Sequence, residues 1–160
     1  MAAVAGKQAN RPSFVATTIV VAQGTMIIAS VIGMRAAEGR SYWPILLVSF
    51  LVLPLRGILA YFLSGWWGVV PIEVLAGVGT GLQSVAVPGM VARSLSGTDR
   101  VNLAQGAVIT IQGAGAAVSP ALGRWIAEWI GISPSFLVLG RMGLVAVGSW
   151  VALGAIVKQY

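Results

Sequence analysis

The chain contains no cysteine and no histidine, and only four acidic side chains, Glu38, Glu73, Asp99 and Glu128, among 160 residues. The first two absences exclude a disulfide framework, a thiolate nucleophile, the usual ligand sets for zinc, haem or iron-sulfur centres, and the side chain most used as a general base. Charge of either sign is scarce, 9% of residues against about a quarter in soluble domains. Sequence signatures of catalysis are missing as well. There is no Gly-Lys-Ser/Thr phosphate loop and no Gly-x-Ser-x-Gly elbow. Gly77, Gly79 and Gly81 begin like a dinucleotide loop, but Ser84 stands where its third glycine belongs. The carboxylates are too few and too dispersed for a two-carboxylate hydrolase. The chain therefore reads as a non-enzyme without a cofactor or metal.

What is present is apolar surface: 58% hydrophobic residues and a mean hydropathy of +0.91. That composition belongs in a lipid bilayer. Five continuous apolar runs, at about residues 14–34, 43–63, 69–92, 101–129 and 134–157, are each long enough to cross a hydrocarbon core as a helix. Barrel strands would alternate over about ten residues, which these runs do not. The expected fold is an all-α polytopic membrane protein, with residues 1–13 a polar tail and residues 14–160 a transmembrane bundle. The first run is longer than the apolar part of a signal peptide and lacks a small-x-small cleavage site after it, so a retained span is expected. Ser41, Thr98 or Asp99, and Ser133 ahead of Pro134 are candidate helix starts.

The net charge of +6 does not point to nucleic acid, because the ten basic residues are scattered beside apolar runs rather than clustered. They act as topology determinants. Arg35, Arg40, Arg93, Arg100 and Lys158 fall on one side and Lys7 and Arg11 on the other, which predicts a cytoplasmic carboxyl terminus. Tyr42 and Trp43 on one side, and Tyr61, Trp66, Trp67, Trp125 and Trp129 on the other, suit interfacial aromatic belts.

The most informative stretch is 74–123. Gly77, Gly81, Ser84 and Pro88 share one helical face, and Gln105-Gly106 and Gln112-Gly113, two turns apart, share another. Small faces let backbones approach closely in lipid, and a glutamine there needs a partner or a water-filled space. Arg56 and Glu73 flank the turn near Trp66 at similar sequence distances. They read either as an ion pair fixing the register of two helices, or with Glu73 carrying a proton or meeting a solute. Arg124, Glu128 and Arg141 read as an interfacial cluster whose long side chains snorkel.

These residues carry a resemblance. Gly77-Val-Gly-Thr-Gly81, Ser96-Gly97-Thr98-Asp99-Arg100, Asn102-Leu103-Ala104-Gln105-Gly106-Ala107 and Gly113-Ala-Gly-Ala-Ala-Val-Ser119-Pro120-Ala121 together resemble the carboxyl-terminal half of major facilitator superfamily (MFS) transporters. The resemblance covers nearly everything after Phe14 and implies that the five spans match helices eight to twelve of a twelve-helix permease. The chain then looks truncated, lacking one helix of its own bundle and a missing or separate amino-terminal bundle as partner. It implies transport of a small-molecule solute across a bacterial inner membrane by alternating access, with a proton or another coupling ion supplying the gradient. It further implies that helices eight, ten and eleven face a central cavity, making Gln23, Thr25, Gln83, Gln105, Thr110 and Gln112 the cavity candidates. Interhelical hydrogen bonding is the competing role for each glutamine. Gly33, Arg35, Glu38, Gly39 and Arg40 resemble a remnant of the family's gating loop, one residue short and without its aspartate spacing. The other class of reading is a small non-transporting membrane protein that acts by helix association, as a scaffold or partner subunit.

Overall fold

Continuous apolar runs with no strand-like alternation leave the backbone only one way to satisfy its polar groups in lipid, which is helix. A computed structural model of the chain describes residues 2–38, 41–63 and 68–157. It contains α1 (Ala2–Ala37), α2 (Trp43–Phe62), α3 (Val69–Ser94), α4 (Val101–Ile130) and α5 (Ile132–Val157), and no strand among the described residues. All five helices are long and apolar enough to cross a membrane, and the protein is an integral membrane protein. In α1 the spanning stretch is Val15–Ala37, although the helix itself begins at Ala2, within the residues expected to form a tail.

The helix starts are only partly those the sequence suggested. Ser41 is not the cap of α2, since Tyr42 takes the N-cap position without a side-chain cap bond, but the Ser41 Oγ one residue earlier accepts a hydrogen bond from the Trp43 N–H at 3.3 Å. Neither Thr98 nor Asp99 caps α4: Arg100 takes the N-cap position without a side-chain bond, and the Thr98 hydroxyl donates to the Leu95 carbonyl instead. The reason is that the link 95–100 is itself a tight turn, opened by Gly97 at φ 85°, so the hydroxyl is used within the turn. At the next turn Gly131 has φ 90° and ψ 164°, a conformation essentially closed to other residues, and α5 starts immediately after it at Ile132.

Small residues decide the packing. α1 lies along α3, α3 along α2, and α2 along α5; α4 touches α5 and α3 more lightly. Where α1 crosses α3, a Cβ on Gly77 would stand 2.5 Å from the Ala22 carbonyl oxygen, and one on Gly81 the same distance from that of Met26. Where α2 meets α5, a Cβ on Gly57 would stand 2.7 Å from the Phe136 carbonyl oxygen and 2.8 Å from Gly140 Cα. These are backbone-to-backbone contacts of the kind that small residues permit in lipid. A small core of Ala37, Ile45, Leu46 and Ala86, flanked by Tyr42, Phe50, Leu82 and Trp150, closes one end of this row. α4 is the exception, with no buried residue.

Candidate functional site

One proline, three glutamines and an arginine are among the residues that build a concave polar surface. It is a cleft of about 990 Å³ between α3 and α4, with α2 at its edge. Its polar wall consists of Arg56 from α2, Thr80, Gln83 and Ser84 from α3, and Gln105, Gln112 and Ser119 from α4. Leu53, Val87, Val91, Val108 and Ile109 supply the apolar part. The spacing of Thr80, Gln83, Ser84, Val87 and Val91 follows the three- and four-residue steps of one helical face, as does that of Gln105, Val108, Ile109 and Gln112.

Backbone acceptors add to the wall. Pro88 has no N–H to give to the Ser84 carbonyl, and Pro120 none for Ala116, so both carbonyls leave the helical ladder. Ser84, Pro88 and Ala116 all line the cleft. The Gln105 side-chain amide spans the gap, donating from Nε2 to the Pro88 carbonyl at 3.5 Å.

Of the six cavity candidates, Gln83, Gln105 and Gln112 meet in this cleft, whereas Gln23, Thr25 and Thr110 are not part of its wall. Thr25 packs its Cβ against Gly77 in the α1–α3 contact, and its hydroxyl donates to the Val21 carbonyl at 2.8 Å. Thr110 is exposed and donates to the Gly106 carbonyl on its own helix. Gln23 is exposed on α1. The shared face of Gly77, Gly81, Ser84 and Pro88 divides along its length. α1 covers the first two, and further along it shifts toward Leu82 and Val85, which face Gly33, leaving Ser84 and Pro88 to the cleft.

Arg56 and Glu73 are placed apart. Arg56 is half-buried at the cleft edge, Glu73 is outside the wall about two turns from Thr80, and no ion pair joins them among the described residues. An ion pair joins Arg124 Nε to Glu128 Oε1 at 2.9 Å, one turn apart on α4 and exposed. Arg141 is exposed on α5. In the remnant of the gating loop, Gly33 is buried against α3, while Arg35 in the last turn of α1 and Glu38 just after it are exposed. Gly39 and Arg40 lie outside the described residues, as do Trp66, Trp67 and Lys158. The sequence reading missed Thr80, Ser84 and Ser119 as cleft residues and assigned Arg56 a different role. Helical spacing from Gln83 and Gln112 was the signal available for all but Arg56.

The chain is 36% identical over 132 residues to two uncharacterized MFS-type transporters of Mycobacterium tuberculosis, one from strain CDC 1551 / Oshkosh and one from strain ATCC 25618 / H37Rv. The match takes in 81% of this chain and 31% of the length of each relative. No family model matches the chain, and no solved structure matches it significantly. The chain is therefore related, over most of its length, to part of an MFS-type transporter.

Proposed function

We propose that this chain supplies solute-facing helices of an MFS-type secondary transporter, which moves a small solute across a bacterial inner membrane by alternating access driven by an ion gradient. It acts together with an amino-terminal helix bundle, and its carboxyl terminus faces the cytoplasm. The observation that carries the reading is the meeting of Gln83, Gln105 and Gln112 in one cleft lined by α2, α3 and α4. Neutral amides can hydrogen-bond a solute without the desolvation cost of a full charge, and a wall of mixed polarity lets the solute leave again.

The test is uptake by proteoliposomes that contain the native assembly purified from source membranes, across a panel of labelled solutes with and without a proton gradient. Gln83→Leu and Gln112→Leu should abolish uptake of whichever solute is carried, and Gln23→Leu should leave it intact. Equal effects of all three would remove the cleft from the transport path, and no gradient-dependent uptake of any solute would remove the transport reading.

The exposure of α4 favours a second reading, in which the chain works by helix association as a scaffold or partner subunit. Glycines 106, 113, 115 and 123 on that helix have nothing within 4 Å of where a side chain would begin. An antibody to the carboxyl-terminal residues separates the two readings on native membranes. A product much larger than 16.5 kDa favours the transporter, and a product of that size held in a larger complex favours association.

A further inference from the structure

Arg56 is the one charged side chain in the wall of the cleft. A cation in a membrane-spanning helix needs a counter-charge or water. Among the described residues it has neither an ion pair nor a hydrogen bond. Glu73 forms no ion pair with it, and Glu38, Glu73, Asp99 and Glu128 all line no part of the cleft. The rest of the polar wall is neutral: three amides and the hydroxyl residues Thr80, Ser84 and Ser119. The apolar remainder includes Leu53, Val87, Val108 and Ile109.

Resting on the transport reading above, we propose that the cleft takes an organic anion, a solute with an apolar body and one carboxylate-like group, and that Arg56 is the counter-charge for that group. The guanidinium fork matches a carboxylate with two parallel hydrogen bonds, a geometry that a lysine does not reproduce. The glutamine amides complete the recognition by donating to the remaining lone pairs and orienting the solute. The aliphatic side chains of α3 and α4 hold its apolar part. A neutral solute of the same shape leaves Arg56 uncompensated and binds less well.

The experiment uses the full chain in lipid nanodiscs with two labelled probes of nearly the same shape, benzoate and benzamide. Binding of benzoate should exceed that of benzamide by about tenfold or more, the scale of a hydrogen bond to a charged group. Arg56→Gln should erase the difference, Arg56→Lys should restore part of it, and Gln23→Leu should leave it unchanged. Equal or absent binding of the two probes overturns the proposal, as does a preference that survives in Arg56→Gln. Tighter benzoate binding in Glu73→Gln also overturns it, because that carboxylate would then be the resting partner of Arg56. Gradient-driven uptake without charge preference removes this inference and leaves the transporter. A preference for benzoate that depends on Arg56, without uptake by the native assembly, does the reverse.

Discussion

α3 and α4 are written in nearly the same alphabet and end in different environments. Both are rich in glycine, both carry glutamine, and both contain one proline in their second half. In α3 the glycines are consumed by contact: Gly77 and Gly81 seat the backbone of α1, Gly79 faces Val52 of α2, and Gly89 lies under the Tyr42 ring. In α4 the same residue type meets open space, and no residue of the helix is buried. The difference teaches that a small-residue face is permission for close approach. It becomes an interface only where a neighbouring helix is placed to use it.

The sharpest way to break the comparison is chemical labelling, which the absence of native cysteine makes clean. Ala86→Cys on α3, at a position with 0% exposure, should resist a water-soluble maleimide in native membranes, while Ala116→Cys on the cleft wall of α4 should react. Reaction at both positions would mean that the two helices are not differently packed. Resistance at both positions would mean that another chain covers α4.

Next in size is the effect of a bulky side chain. Gly81→Leu forces atoms into the Met26 carbonyl and the Ala29 side chain, and should cost about 3 kcal/mol or more of bundle stability. Gly113→Leu, with nothing within 4 Å, should be near neutral. Thermal unfolding of the two variants in the same detergent measures the contrast. A third substitution tests the hinge between α4 and α5. Gly131→Ala strains a backbone conformation that only glycine adopts easily and should cost about 1–3 kcal/mol, read in the same melt. The smallest effect is expected at the exposed ion pair on α4. With the two side chains 84% and 60% exposed, Glu128→Gln should shift stability by only a few tenths of a kcal/mol. A larger loss would show that this end of α4 is not solvent- or headgroup-facing.

How much of this was legible beforehand varies by residue. The five helices were, because continuous apolar runs and the need to satisfy backbone groups in lipid act locally along the chain. The convergence of Gln83, Gln105 and Gln112 was anticipated on the strength of a resemblance. Thr25 shows where that reasoning stops, since its position on α1 suits a cavity as well as a helix contact, and only the crossing of α1 over Gly77 decides between them. The expected pairing of Arg56 with Glu73 assumed that equal distances from a turn give equal depth and facing azimuths. Distance along the chain constrains depth alone.

By itself, then, the sequence determined that this is a helical membrane protein, roughly where each helix runs, and which positions are small enough for backbones to touch. Those properties depend on neighbours within a turn or two. The tertiary structure alone decided which glycines are covered, which glutamines share a space, and that Arg56 faces a cleft instead of a carboxylate. These depend on the crossing angle and rotation of whole helices, which are set by packing between residues far apart in the chain.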